Sequence, residues 1–299
     1  MNRVSLTVSA AVFASIVLLY PARAHGQVAV APAFERLPHI SVTVLGASGL
    51  PPVMLIPGLA SPRAVWDGVL PALARTHRVY LVQVNGFGGD APDENTTMGV
   101  LDGIAADLDR YVRSHNIERP AIIGHSMGGL LAMMMGARYP QSTGSILVVD
   151  ALPFFSLLYG PMVTAESAKP FAERARAQAL AMPPAIGPVT SDPGGIWSNT
   201  AAGRVTVANW SAKADLRVVA QSMYELMTTD LRPELSKVIA RPFTVLYATG
   251  AGPQAKVIWE GGYAGSAAQL VPIADSWHFI MLDQPAAFVK ALTEFLAAR

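Results

Sequence analysis

The chain reads as an α/β protein with a mostly parallel central sheet flanked by helices and a helical insertion between two of its strands. Three observations carry that reading. From Pro38 onward short apolar runs alternate with helical patterns, as parallel strands joined by crossover helices require. The alternation lapses over residues 151–241, a proline-rich stretch with helical patches of its own. Finally, Ile122-Ile123-Gly124-His125-Ser126-Met127-Gly128-Gly129 runs a short apolar strand into Gly-x-Ser-x-Gly and then directly into a helical pattern.

The first residues stand apart. Met1-Asn2-Arg3 is a short basic start, Val4 to Tyr20 is apolar, and Ala22-Arg23-Ala24 is a small-x-small cleavage pattern. We expect residues 1–24 to be a signal peptide cut between Ala24 and His25. The apolar run is shorter than the roughly 20 residues of a membrane-spanning helix. The expectation is a secreted or periplasmic protein with no stable membrane insertion after cleavage.

Beyond it, strands are predicted at Ile40–Val44, Val53–Ile56, Val79–Val84, Ala121–Ile123, Ile146–Val149, Phe243–Ala248 and Gln269–Ile273. Helices are predicted near 65–75, 99–115, 127–139 and 286–298. Leu101, Ile104, Ala105, Leu108, Tyr111 and Val112 recur at helical spacing, and Asn116, Glu118, Arg119 and Pro120 break the pattern before the next strand. Leu130 to Tyr139 is rich in Leu, Ala and Met and stops at Pro140.

Residues 25–150 and 242–299 thus form the predicted core and 151–241 a helical cap, with helical patches around 171–181 and 214–228. So long a loop without structure of its own is unusual, which favours a lid over a site. Met162, Met182, Met223 and Met227, with Phe154, Phe155, Trp197 and Trp210, either line an apolar pocket or pack the cap's own core.

Composition removes several function classes. With 299 residues, 52% hydrophobic and 14% charged, the chain can bury a large core. Loss of Arg3 and Arg23 leaves 20 basic against 21 acidic residues, and no basic cluster interleaved with aromatics supports nucleic-acid binding. There are no cysteines, hence no disulfide, thiolate metal ligand or lipid-modified cysteine.

The Gly-x-Ser-x-Gly pattern makes Ser126 the candidate nucleophile. A reactive serine at a strand-to-helix turn needs its hydroxyl exposed, and glycines two before and two after let strand and helix pass closely. A serine hydroxyl also needs a base, usually a histidine held in one tautomer by an acid. His25 lies at the expected mature N-terminus, His39 precedes the first strand, His77 and His115 sit in polar connections, and His125 within the turn points away from the serine's face. His278 remains, after the last predicted strand and before the C-terminal helix. Donors for a developing oxyanion are expected from the backbone N–H groups of Leu59, just after the Val53–Ile56 strand, and Met127, just after Ser126.

On Ile56-Pro57-Gly58-Leu59, Asn85-Gly86-Phe87-Gly88-Gly89, Gly124-His125-Ser126-Met127-Gly128 and His278, the chain resembles the α/β-hydrolase superfamily. It is similar in particular to lid-bearing serine hydrolases such as bacterial carboxylesterases and carbon–carbon bond hydrolases. The resemblance covers about residues 38–298 apart from the cap, and implies the α/β-hydrolase fold. Where the family commonly shows His-Gly at the oxyanion turn, this chain has Pro57-Gly58. Family members usually carry the acid after the strand that follows the cap, but Thr249-Gly250-Ala251-Gly252-Pro253-Gln254 holds no carboxylate. Some relatives place it one strand earlier, which here is Asp150, whereas Asp275 and Asp283 are awkwardly close to His278 in sequence.

The expected activity is that of an exported serine hydrolase using Ser126, His278 and Asp150 on a small-molecule ester or related acyl substrate, of apolar character, through an acyl-enzyme. It needs no metal or organic cofactor. An acyltransferase or cofactor-free perhydrolase on the same residues, and a catalytically idle binding protein of this fold, are the alternatives.

Overall fold

The computed structural model describes residues 33–298, so the expected signal peptide and its cleavage point before His25 lie outside the described residues. Eight strands form one sheet: β1 (Ala33–Arg36), β2 (Ile40–Leu45), β3 (Pro52–Ile56), β4 (Arg78–Val84), β5 (Ala121–His125), β6 (Ser145–Val149), β7 (Phe243–Ala248) and β8 (Gln269–Ile273). Their spatial order is β1-β2-β4-β3-β5-β6-β7-β8. β2 pairs antiparallel with β1 and β4, and every pairing from β4 to β8 is parallel. The carboxyl ends of the parallel strands therefore share one edge, where open α/β sheets place their ligands.

The helices are α1 (Leu70–Leu73), α2 (Val100–Ser114), α3 (Met127–Arg138), α4 (Ala165–Ala181), α5 (Ala201–Ser211), α6 (Leu216–Thr228), α7 (Pro253–Gly262), α8 (Ile280–Asp283) and α9 (Pro285–Ala297). Both sheet faces are covered, which is why the central strands read as continuous apolar runs. Met54, Ile56, Ile122, Ile146, Val148 and Val245 pack on one face with α2 and α3. Val53, Leu55, Ile123, Leu147, Val149 and Leu246 pack on the other with Trp66, Phe288 and Leu292.

Several elements differ from the sequence expectation. β1 goes unpredicted because all four of its residues are exposed, so it carries no apolar alternation. The helix expected over 65–75 is a 3-10 turn, Arg63–Trp66, and one α-turn, α1; Gly68 and Pro71 break the continuity between them. α7 begins at Pro253, whose fixed φ suits a first helical position, inside a stretch read as a loop. α4 begins at Ala165, not near 171, because Thr164 and Ser167 form a reciprocal capping box, and the helix runs through Pro170.

Between β6 and β7 the chain forms α4, α5 and α6; α5 had no sequence forecast. α4 packs on α6, and α6 packs on α2. Of the candidate pocket or core residues in this stretch, Phe154 and Met227 are buried, while Met162, Met182 and Trp197 are at least half exposed.

The α6–α2 contact is polar as well as apolar. The nearly buried carboxylate of Glu225 accepts from Gly99 N at 2.6 Å and Val100 N at 3.0 Å through one oxygen, and from Leu101 N at 2.8 Å through the other. Three of the four N–H groups that a helix start leaves unpaired are thus satisfied by one anion at the positive end of the helix dipole. Glu225→Ala should lower unfolding free energy by on the order of 2 kcal/mol in urea titrations, because buried donors lose a charged acceptor. Glu225→Gln should lose less.

Candidate active site

Ser126 sits between β5 and α3 with φ 54° and ψ −121°, a conformation that non-glycine residues adopt only under constraint. The constraint comes from both neighbours. Its N–H donates to Val149 C=O at 2.9 Å, and its C=O accepts from Gly129 and Leu130 N–H at 2.8 and 3.1 Å. The glycines are required by contact: a Cβ on Gly124 would lie 2.0 Å from Gly128 O, and one on Gly128 would lie 2.3 Å from Ile56 O. The Pro57-Gly58 turn after β3 closes over the same point, since a Cβ on Gly58 would stand 2.9 Å from that of Ser126. Among the described residues, neither Leu59 N–H nor Met127 N–H donates to a protein acceptor. Both remain free to meet an oxyanion.

His278 and Asp150 are brought together. His278 Nδ1 lies 2.7 Å from Asp150 Oδ2. A carboxylate oxygen accepts here, so Nδ1–H is the donor of this bond. The other carboxylate oxygen accepts Ala248 N–H, the last residue of β7, at 2.8 Å, and Asp150 N–H donates to Leu246 C=O at 2.8 Å. The acid at the end of β6 is therefore tied across to the end of β7. Beside it, burial first and Asp150 second push the Tyr263 phenol well above its ordinary range, which keeps its O–H donating to Ala151 C=O at 2.6 Å. The Ser126 hydroxyl forms no hydrogen bond among the described residues, with His278 or with any other partner. Such contacts often tighten only when substrate binds.

His125 has a place that its sequence position conceals. Its ring is fully buried, 4.7 Å from the His278 ring and 4.6 Å from that of Phe279, and its Nε2 lies 2.9 Å from His278 C=O. Burial, and then the neighbouring His278, push its pKa well below the ordinary histidine range, so it is neutral and donates that bond from Nε2–H. His39 and His115 make peripheral contacts, His39 with Asp107 at 3.3 Å and His115 with Glu35 at 2.9 Å.

Neither of the two acidic residues near His278 in sequence bonds to its ring among the described residues. Asp275 offers its backbone carbonyl to Asn199 and Gln284 side chains. Asp283 accepts from Trp277 N at 2.7 Å and from Ser198 and Asn199 on the segment before α5. That segment also brings the Trp197 ring to 5.6 Å from His278, edge to face.

Residues 51–177 match the family model described as the alpha/beta hydrolase fold. The chain is 31% identical over 116 residues to a pimeloyl-[acyl-carrier protein] methyl ester esterase of Aeromonas hydrophila, covering 39% of this chain and 44% of that one. It is 30% identical over 117 residues to a fluoroacetate dehalogenase of Burkholderia sp., covering 38% of each. Less than half the length of these curated relatives is matched. In three dimensions the chain is similar to an enol-lactonase from Burkholderia xenovorans, with a TM-score of 0.66 at 20% identity over 86% of this chain and 96% of that one. The chain thus has the α/β-hydrolase fold, and its residues 51–177 match the model of that family.

Proposed function

We propose that this chain is a serine hydrolase that cleaves a carboxylic ester, or a related acyl substrate, through an acyl-enzyme on Ser126. The observation that carries the reading is the 2.7 Å Asp150–His278 bond at the carboxyl edge of the sheet, beside a constrained Ser126 and two uncommitted backbone donors. In this scheme His278 Nε2 takes the Ser126 proton as Oγ attacks the acyl carbon. Leu59 and Met127 N–H hold the oxyanion. The protonated His278 then gives its proton to the departing alcohol oxygen, and water, activated by the same imidazole, releases the acid. Asp150 keeps the tautomer and stabilises the imidazolium. No step calls for a metal or organic cofactor.

The methyl ester esterase relative supports ester substrates, and the helices between β6 and β7 support a lid that sets substrate choice. Among the described residues no helix is long and apolar enough to cross a membrane. With the basic start, apolar run and Ala22-Arg23-Ala24 pattern, we read the mature protein as exported. N-terminal sequencing of protein secreted or recovered from a periplasmic fraction should begin at His25; an intact Met1 start in all fractions would overturn export.

Ser126→Ala should remove both fluorophosphonate labelling and hydrolysis of nitrophenyl esters while leaving the circular dichroism spectrum unchanged. Turnover near the parent rate would end the assignment. His278→Ala should cost several orders of magnitude in kcat, because such residues act as a unit. Asp150→Asn should cost about 10⁴ in kcat, the size of the corresponding change in a serine protease triad, with a smaller effect on KM. A nearly silent Asp150→Asn would leave a Ser126–His278 dyad.

A further inference from the structure

We propose that Trp197 is a specificity-determining residue that walls the leaving-group side of the site, so that the chain favours esters whose alcohol portion is flat and apolar. This rests on the hydrolase reading above and extends it to the chemistry of the departing group.

The argument begins with proton delivery. The proton that His278 takes from Ser126 must pass to the departing oxygen, so that oxygen lies within hydrogen-bond reach of Nε2 and the rest of the alcohol lies beside the imidazole. The acyl oxygen is held elsewhere, at Leu59 and Met127. A side chain packed against His278 therefore meets the alcohol portion. Three approaches to that ring are already taken: Asp150 holds Nδ1, His125 lies 4.7 Å away and Phe279 5.5 Å away. Trp197 stands on a fourth, with ring centroids 5.6 Å apart and planes at 60°. Unlike buried His125 and Phe279 it is 50% exposed, so much of its surface remains to be covered by something else. A flat apolar group is what an indole covers best.

A wall must also be rigid. The segment between α4 and α5 has no helix or strand, yet side chains hold it at successive points. Asn209 of α5 accepts from Val189 N at 2.9 Å and donates to Val189 O at 2.8 Å. Arg204 grips both oxygens of Asp192, at 2.7 and 2.5 Å, and donates to Ser198 O at 2.9 Å. Phe279 N–H donates to the carbonyl of Trp197 itself at 2.9 Å. Asp283 joins the two segments: one oxygen takes the Ser198 hydroxyl and Asn199 N–H, the other takes Trp277 N–H. All three partners donate, so only a carboxylate serves them all. An amide there must turn an NH₂ toward at least one donor. Asp283 is thus a positioning residue for Trp197, acting through Ser198 and Asn199.

The test uses the whole mature chain and two ester series: methyl against benzyl butyrate, which share an acyl group, and benzyl acetate, butyrate and octanoate, which share an alcohol. The parent should favour benzyl over methyl in kcat/KM. Trp197→Ala should shrink that ratio roughly tenfold, the scale of losing one apolar contact in a specificity pocket. Its acetate-to-octanoate preference should shift less than about threefold. Trp197→Phe should retain most of the alcohol selectivity, and Asp283→Asn, which loosens the same segment, should reduce it in the same direction. A benzyl-to-methyl ratio unchanged in Trp197→Ala, or a change confined to the acyl series, would overturn the proposal. Fluorophosphonate labelling separates the two possible failures. A labelled enzyme that hydrolyses both esters without alcohol selectivity sinks the Trp197 wall alone, whereas a chain that neither labels nor hydrolyses any ester sinks the hydrolase reading and the wall with it.

Discussion

The closeness with which β5 passes into α3 is the constraint on which the rest depends. With 2.0 Å between a hypothetical Gly124 Cβ and Gly128 O, not even a methyl group fits between strand and helix. The same closeness seats Gly128 against the end of β3, where a Cβ would strike the carbonyls of Ile56 and Pro57. Strand, helix and the turn after β3 therefore meet at one point, and Ser126 is forced to φ 54° at the junction. A helix start directed at that point also leaves Met127 N–H without an internal partner. A strained serine and the free Met127 donor are consequences of one packing contact, held because the surrounding structure over-determines the backbone there.

The sheet order explains how Asp150 reaches His278. β6, β7 and β8 are neighbours, so the ends of β6 and β8 are separated by a single strand. Asp150 spans that strand by accepting the Ala248 N–H of β7 with one oxygen while the other meets His278. Its φ of 49°, which aspartate tolerates better than most residues, turns the chain at that point. A carboxylate at the end of β6 is thereby delivered to His278, on the loop that follows β8. His278 is fixed at its backbone as well: His125 takes its carbonyl, while the N–H groups on either side go to Asp283 and Trp197.

Polar groups of single side chains also decide how the insertion sits on the core. Glu225 fastens α6 to the start of α2, and Val218 of the same helix occupies the space that a side chain on Gly86 would need. The segment before α5 lacks a ladder of its own, so Asn209, Arg204 and Asp283 satisfy backbone groups that would otherwise have only solvent. These anchors lie far apart in sequence. Asp283 and Ser198 are 85 positions apart, and Glu225 and Gly99 are 126.

What the sequence determined by itself is whatever has a local physical signature. Continuous apolar runs marked the strands buried on both faces, because covered strands have no polar side to interrupt them. Gly124, Ser126 and Gly128 marked the strand-to-helix turn, because close passage excludes other residues. The short strand β1 and the helix α5 had no such signature, the one being exposed throughout and the other depending on Thr200 as a cap within an irregular stretch. The pairing of Asp150 with His278 has no local signature and rests, in the sequence, on the family resemblance alone, since a hydrogen bond across 128 positions leaves no periodicity. Tertiary structure alone decided that His125 supports the His278 loop, that Asp283 holds that loop to the insertion, and that Trp197 faces the imidazole. Each depends on where a sheet and its connections place distant backbone groups, and side-chain chemistry read along the chain carries no measure of that distance.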